Sequence, residues 1–321
     1  MVAIADSCCM KANNQADDLS GLWVPIITPF DSDDRVDLVA IKRLCRRILG
    51  DGAHGIVALG TTGEPSVLTD DEQREVVLTA AEACADLGRP LMVGTGTNST
   101  RVTIENVGAL RNVAGVVATL VVVPYYTRPS CAAIVEHFRV VASESPVPVV
   151  VYNIPYRTGR GLNASDLLRI AEFENVAGLK QSVAGLDGDT LEVLRSAPPS
   201  FLVFSGDDAF IAPTILMGGA GAIAAAAHVC TPMFAAMVTS ALLGDAAEAR
   251  RLANALLPVV AAGMAEPNPA VWKAALHHVG EIPTQNLRAP MSCATTEAKT
   301  QLLAAIAAAS RSGSNQPVPV A

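Results

Sequence analysis

The sequence predicts a (β/α)8 barrel, the TIM-barrel architecture of the α/β class, followed by a C-terminal helical extension. Short apolar runs alternate with longer segments of helical period, at the roughly 30-residue spacing of a strand–helix unit. Eight such runs occur before residue 230. Each run is continuously apolar rather than alternating, as expected of parallel strands that helices cover on both faces. These three observations together favour a closed parallel barrel.

The predicted strands, taken in chain order, comprise residues 21–28, 55–59, 90–94, 116–123, 147–152, 176–180, 201–205 and 221–226. The helices predicted between them comprise residues 37–49, 70–87, 99–111, 131–143, 163–173, 189–195 and 208–217. After residue 230 the strand signal stops, and helical segments separated by Gly and Pro follow. A doubly wound sheet is the main rival, but it would require a GxGxxG after the first strand, and WVPIITPFDSDD contains none.

The predicted organisation has four parts: a disordered tail (1–17), the barrel (18–230), a C-terminal helical domain (231–310) and a second disordered tail (311–321). The first tail has no basic start and no apolar core of signal-peptide length, and no apolar stretch in the chain reaches the length of a membrane span. The seven cysteines are irregularly spaced and lack a CxxC pair, which is typical of a reducing compartment. We therefore expect a cytoplasmic protein.

The composition excludes several kinds of partner. The net charge is −8, and Lys and Arg are scattered without runs, which argues against nucleic acid and anionic membranes. No HxxxH or HxH spacing occurs, and His277 and His278 are neighbours in a predicted helix, so we expect no metal. The expected partners are small molecules or further copies of this chain.

Chemistry-bearing residues follow the predicted strands at their C-terminal ends, where a barrel places its active site. The segments are GTTGEP (60–65), PYYTRP (124–129), YNIPYRTG (152–159) and SGDD (205–208), and the sixth strand ends on Lys180. All four tyrosines of the chain fall in two of these segments, as Tyr125, Tyr126, Tyr152 and Tyr156. Core packing does not explain that concentration.

Each motif, taken singly, also has a structural interpretation. Lys180 could extend its ammonium to solvent at a strand end, or it could be a desolvated amine that does chemistry. The threonines of GTTGEP could help to cap the next helix, Tyr125 and Tyr126 could form an amphipathic rim, and Arg157 could form a surface ion pair. Adjacent acids before a helix are most often N-caps, so we assign that role to the carboxylates of SGDD, Asp207 and Asp208.

The motifs GTTGE, PYY, YNxPxRTG, GLK, SGDD and GxI, in this order, resemble the dihydrodipicolinate synthase and N-acetylneuraminate lyase family of class I pyruvate-dependent aldolases. The resemblance covers roughly residues 18–310. It implies that Lys180 forms an imine with pyruvate and that the enamine attacks an aldehyde, with no cofactor. It also implies that Tyr152 acts as acid and base and that Thr62 links it to Tyr126 in a proton relay. In the family the tyrosine matching Tyr126 comes from a neighbouring subunit, so we expect a homotetramer, a dimer of dimers.

The resemblance also assigns the binding residues. Thr61 and Thr62 would hold the pyruvate carboxylate, and the carbonyls of Gly206 and Ile223 would face the lysine end of the pocket. Arg157 would bind the carboxylate of the second substrate, which in this pattern is aspartate semialdehyde. The implied reaction forms 4-hydroxy-tetrahydrodipicolinate in lysine and diaminopimelate biosynthesis.

Three departures from the family pattern leave another pyruvate-dependent aldolase or lyase open, with a sugar-acid or secondary-metabolism substrate. Pro65 replaces the usual Ser of GTTGES, and Gln181 and Ser182 stand where an acidic residue and an alanine are common. The eighth strand reads AIAAAA where many members have a stretch that contains Ser or Thr. A phosphate-binding barrel enzyme is disfavoured by the two carboxylates of SGDD. A catalytically idle scaffold is disfavoured because the lysine and the relay hydroxyls are present.

The resemblance predicts weak inhibition by lysine. In inhibited relatives a glutamate holds the effector's ammonium, and that position falls on Val102 in this chain. Two histidine positions fall on Asp70 and Gln73, whereas the asparagine and tyrosine positions are retained as Asn98 and Tyr125.

Overall fold

A computed structural model describes residues 19–313 of the chain. Eight parallel strands close into a barrel in the order β1 to β8, which confirms the predicted fold class. The strands are β1 (Gly21–Pro25), β2 (Gly55–Ala58), β3 (Leu91–Gly94), β4 (Val116–Val122), β5 (Val149–Asn153), β6 (Val176–Gln181), β7 (Leu202–Ser205) and β8 (Gly221–Ile223). Each strand pairs in parallel with its successor, and β8 pairs with β1.

Helices follow the strands and cover the barrel. They are α1 (Leu38–Gly50), α2 (Asp70–Ala85), α3 (Thr100–Ala109), α4 (Cys131–Glu144), α5 (Pro155–Thr158), α6 (Ala164–Ala171), α7 (Gly188–Ser196) and α8 (Ile211–Leu216). Four more helices, α9 (Thr231–Leu242), α10 (Ala246–Gly263), α11 (Ala270–His278) and α12 (Thr296–Gly313), form the C-terminal extension. The predicted tail 1–17 lies outside the described residues. Helix α12 continues beyond the predicted boundary at residue 310, and residues 314–321 are not described.

The barrel interior is filled by alternate strand residues. Trp23, Met92, Val150 and Phe204 are among the buried side chains of this inner cluster. The opposite faces of the strands pack under the helices in two larger clusters. The chain therefore has the layered core of a filled barrel, with no open channel through it.

Three elements differ from the prediction by more than two residues at one end. Strand β1 stops at Pro25, although the Ile26 N–H still donates to the Val57 carbonyl at 2.9 Å. Strand β8 stops at Ile223, and Ala226–His228 form a 3-10 turn instead. The predicted helix 208–217 is a 3-10 turn at Asp208–Phe210 followed by α8. At both strand ends an apolar run continues past the point where strand pairing stops, so hydrophobicity alone does not show the boundary.

The described residues contain no helix that is both long enough and apolar enough to cross a membrane. The five cysteines within them, Cys45, Cys84, Cys131, Cys230 and Cys293, are free thiols, and Cys8 and Cys9 lie outside the described part of the chain.

Candidate active site

Strand β6 carries Lys180 into the mouth of the barrel. Its side chain is only 6% exposed, so the ammonium does not extend to solvent. The amine lies 4.1 Å from the centroid of the Tyr152 ring on the adjacent strand, where the two residues are paired in register. It forms no hydrogen bond or ion pair with any residue between 19 and 313. An unpaired buried amine of this kind favours chemistry over surface solvation.

Burial lowers the pKa of Lys180 to about 8, and the charges of Asp208 and Asp207 partly oppose this effect. The ordinary value for lysine is about 10.4. Desolvation disfavours the charged form, so about one-tenth of the amine is neutral at pH 7. The structure therefore provides a nucleophilic nitrogen near neutral pH.

Tyr152 lies against this amine at the end of β5. Burial raises the pKa of its phenol to about 12, while the hydroxyls of Thr61 and Ser182 and the charge of Arg157 act in the opposite direction. The phenol is thus protonated at neutral pH and can donate a proton. Of the two threonines, it is Thr61 whose hydroxyl acts on the Tyr152 phenol, whereas the resemblance assigns Thr62 to that role.

The GTTGE segment follows β2 and begins with a 3-10 turn at Thr61–Gly63. The backbone N–H groups of Thr61 and Thr62 donate to none of the described residues. The Thr62 hydroxyl instead accepts a hydrogen bond from Asn268 Nδ2 at 3.0 Å. Neither threonine caps the next helix, because Thr69 forms that cap with Glu72 in a capping box. Two free donors at a turn are suited to holding a carboxylate.

A buried ion pair fixes this loop to the C-terminal extension. Glu64, with a left-handed φ of 55°, accepts a hydrogen bond from Lys273 at 2.6 Å. Lys273 is fully buried, and its ammonium also lies 4.1 Å from the centroid of the Phe30 ring. Asn268 and Lys273 therefore support the threonine loop from the same segment of the chain.

The two carboxylates of SGDD do not cap a helix, so that prediction is wrong. Asp207 accepts from the Ala184 N–H at 2.7 Å, and Asp208 accepts from the Ala226 N–H at 2.7 Å. They therefore link the end of β7 to the loops after β6 and β8. Burial raises the pKa of both carboxyls, that of Asp208 to about 6. Both carboxylates line the lysine pocket rather than the end of a helix.

The pocket around Lys180 has a volume of about 250 Å³. Of the residues that the sequence predicted, it contains Thr61, Thr62, Tyr152, Arg157, Lys180, Gly206 and Ile223. Asn268 also lines it, although no local pattern distinguished this residue in the sequence. Seven of the eight predicted site residues thus meet at the C-terminal ends of the strands.

Tyr126 is the predicted residue that this single chain does not bring to the pocket. Its side chain is 86% exposed and its backbone is left-handed, with φ 69°. A large exposed aromatic side chain held in a strained conformation is consistent with a role at an interface. Its entry into a neighbouring subunit's site stays a prediction.

Arg157 lies at the rim, in the one-turn helix α5. Its guanidinium is 5.3 Å from the centroid of the Tyr156 ring, and Nε donates to the Tyr156 hydroxyl at 3.3 Å. It has no acidic partner among residues 19–313, so the structural interpretation as an ion pair is not supported. An unpaired guanidinium beside a reactive amine is available for an anionic ligand.

A second cavity of about 540 Å³ adjoins the first and shares Thr61, Tyr152 and Arg157 with it. Asp70, Gln73, Val102 and Tyr125 also line it. These are four of the five positions to which the resemblance assigns an effector pocket; Asn98 is not among the lining residues.

The described residues contain no group of three His, Cys, Asp or Glu side chains that could hold a metal ion. His277 and His278 are exposed at the end of α11. His228 is fully buried, and its Nε2 accepts from the Ile27 N–H at 3.1 Å. These three histidines thus belong to the scaffold or the surface.

Comparison with known proteins matches residues 18–309 to the dihydrodipicolinate synthetase family. The 4-hydroxy-tetrahydrodipicolinate synthase of Moorella thermoacetica is 38% identical over 281 residues, which cover 88% of this chain and 95% of that relative. That of Neisseria meningitidis serogroup B is 36% identical, over 90% of this chain and 98% of the relative. The structure of the synthase from Methylacidiphilum fumariolicum SolV superposes with a TM-score of 0.87 at 30% identity, covering 92% of this chain and 97% of that one. The protein is therefore a member of the dihydrodipicolinate synthetase family.

Proposed function

We propose that this protein is a class I aldolase that condenses pyruvate with aspartate semialdehyde to form 4-hydroxy-tetrahydrodipicolinate, in lysine and diaminopimelate biosynthesis. The observation that carries the proposal is the unpaired, buried amine of Lys180, whose pKa is lowered to about 8, beside the phenol of Tyr152. Two observations support the choice of an acidic aldehyde: the curated relatives are named 4-hydroxy-tetrahydrodipicolinate synthase, and the pocket-lining guanidinium of Arg157 has no acidic partner among the described residues. The chain would act in the cytoplasm and needs no cofactor for this chemistry.

The first step joins pyruvate to the enzyme. The N–H groups of Thr61 and Thr62 hold the pyruvate carboxylate, and the neutral Lys180 amine adds to the keto carbon to give a carbinolamine. Tyr152 gives its proton to the carbinolamine hydroxyl, which leaves as water. This step produces a protonated imine and a tyrosine phenolate, so charge is conserved.

The second step makes the carbon nucleophile. The phenolate of Tyr152 takes a proton from the pyruvate methyl group, and the C–H electrons form the enamine double bond as the imine nitrogen becomes neutral. The enamine carbon then attacks the aldehyde carbon, the imine nitrogen becomes cationic again, and Tyr152 gives the proton it has just taken to the aldehyde oxygen. The amino group of the semialdehyde finally displaces Lys180 from the imine carbon and closes the ring.

The proton relay that we propose runs through Thr61. Its hydroxyl lies beside the Tyr152 phenol, whereas Asn268 holds the Thr62 hydroxyl. Thr62 is therefore assigned to the substrate carboxylate. Tyr126 is the outer residue of the proposed relay and would come from a neighbouring subunit in a dimer of dimers. The carbonyls of Gly206 and Ile223 would line the pocket at the end where Lys180 lies.

Reductive trapping tests the proposal. Borohydride added with pyruvate should fix a pyruvate-derived mass on Lys180 and abolish activity, and a Lys180→Arg variant should give no adduct. Lys273 is an internal control, because it is equally buried but ion-paired to Glu64 and should stay unlabelled. A label on any other lysine, or no label, would refute the mechanism. A panel of aldehydes with and without a carboxylate then identifies the second substrate.

A further inference from the structure

Ser182 lies just beyond the end of β6, two residues after Lys180. Its side chain is 1% exposed, and its backbone N–H donates to the Asn153 carbonyl at 2.9 Å, which fixes its position against β5. Its hydroxyl oxygen is buried and forms no hydrogen bond of normal geometry with any described residue. A buried hydroxyl without a partner lowers stability, and an alanine at this position would avoid that loss.

The surroundings of this hydroxyl are the catalytic groups themselves. A Cβ atom placed on Gly206 would come within 2.0 Å of Ser182 Oγ and 3.0 Å of Lys180 Cε, so both atoms border the same small space. The hydroxyl also lies near enough to the Tyr152 phenol to lower its pKa. Ser182 does not line the 250 Å³ pocket, so it reaches the substrate only through these neighbours.

The Tyr152 oxygen is a neighbour whose hydrogen-bonding needs change during the reaction. In the resting enzyme it carries a proton. After that proton has passed to the leaving hydroxyl, the oxygen is a buried anion that needs donors. A hydroxyl held beside it, with its own O–H uncommitted, can meet that need without displacing another hydrogen bond.

Building on the proposed function, we propose that Ser182 is a positioning residue for Tyr152. The Ser182 hydroxyl donates a hydrogen bond to the tyrosine oxygen once that oxygen has given up its proton. This hydrogen bond stabilises the proton-transfer steps and does not change the affinity for pyruvate. The role requires no partner other than the groups already in the site.

The exchange of pyruvate methyl hydrogens for deuterium in D2O, followed by NMR, tests this role without any aldehyde. Imine and enamine formation drive the exchange, and both depend on Tyr152. Ser182→Ala should slow the exchange about 10- to 100-fold, the effect of one hydrogen bond to a charged group, with the half-saturating pyruvate concentration unchanged. In a Tyr152→Phe background the same substitution should have no further effect.

Stability provides a second, independent readout. Ser182→Ala should leave the urea midpoint of unfolding unchanged or raise it, because an unpartnered buried hydroxyl is removed. Ser145→Ala is the matched control: this half-buried serine precedes β5 and lines neither cavity of the site, and its hydroxyl donates to the Val147 carbonyl at 2.6 Å. The control should lower the midpoint and leave the exchange rate unchanged.

The outcomes separate this inference from the proposed function. If the wild-type protein neither exchanges nor traps pyruvate, the proposed function fails. If it does both but Ser182→Ala exchanges at the wild-type rate, or slows exchange equally with and without Tyr152, the positioning role is refuted while the aldolase assignment stands.

Discussion

Replacing Asp208 with Asn should shift the pH dependence of imine formation at Lys180 to lower pH. The Asp208 charge raises the lysine pKa, against the larger lowering by burial. The pKa of Asp208 is itself raised to about 6, so above that pH its carboxylate is charged and acts on the amine. Asn removes this charge and keeps an oxygen that can accept the Ala226 N–H, now bonded at 2.7 Å.

The size of the expected shift follows from the fraction of the Lys180 amine that is neutral at each pH. At its lowered pKa of about 8 the amine of Lys180 is about one-tenth neutral at pH 7, whereas an ordinary lysine would be neutral in about one molecule in three thousand. The trapping rate of the wild-type protein should therefore rise tenfold per pH unit and level off above pH 8. Loss of one nearby charge should lower that midpoint by roughly one pH unit, which would raise the rate at pH 7 about fivefold.

The rate of borohydride trapping is measured between pH 6 and 10, at saturating pyruvate and constant ionic strength. It gives the pH midpoint of imine formation for the wild-type protein and for Asp208→Asn. Asp71→Asn removes the same charge from an exposed position on α2 and should leave the midpoint unchanged. A wild-type midpoint near 10, or equal midpoints in wild type and Asp208→Asn, would refute the argument that burial and Asp208 together set the reactivity of Lys180.

Four further outcomes are expected. Arg157→Ala should reduce kcat/KM for a carboxylate-bearing aldehyde about 30-fold or more and leave pyruvate trapping intact, and an equal loss with uncharged aldehydes would contradict the assigned contact. Asn268→Ala should raise the pyruvate concentration needed for trapping, and this effect should vanish in a Thr62→Val background if the amide acts through that hydroxyl. Lys273→Met should cost about 3–5 kcal/mol of unfolding free energy, and pairing it with Glu64→Gln should recover part of the loss in urea denaturation. Millimolar lysine should inhibit weakly in steady-state assays, and inhibition below 1 mM would show that the effector pocket was misassigned.

The strands were predictable because each is buried on both faces and so appears as an apolar run. That criterion fails at the ends of the runs. Residues 26–28 and 224–226 continue the apolar runs, but strand pairing ends within them: the Ile27 N–H donates to His228, and the Ala226 N–H donates to Asp208. The one-turn helix α5 was also missed, since four residues carry no helical period.

Within the site, the sequence could place residues at strand ends but not the contacts between loops. Asp207 and Asp208 were assigned as caps from local statistics, whereas their acceptor oxygens bind N–H groups of the loops after β6 and β8. Asn268 lies in the C-terminal extension, and only the fold brings it to Thr62. The roles that we propose for Thr61 and Thr62 likewise depend on the turn at Thr61–Gly63, because Asn268 bonds the hydroxyl of Thr62 and the hydroxyl of Thr61 acts on Tyr152.

Two buried lysines, Lys180 and Lys273, differ in the partners of their amines. Burial lowers the pKa of both, but Lys273 faces the Glu64 carboxylate at 2.6 Å, which opposes that effect and occupies the ammonium. Lys180 has carboxylates near it that are already engaged with backbone N–H groups, and no direct ion-pair partner. Its amine can therefore lose a proton at moderate cost and meet a carbonyl carbon. The pairing of Lys273 supports the same site, because the glutamate it fixes is part of the loop whose threonines line the pocket of Lys180.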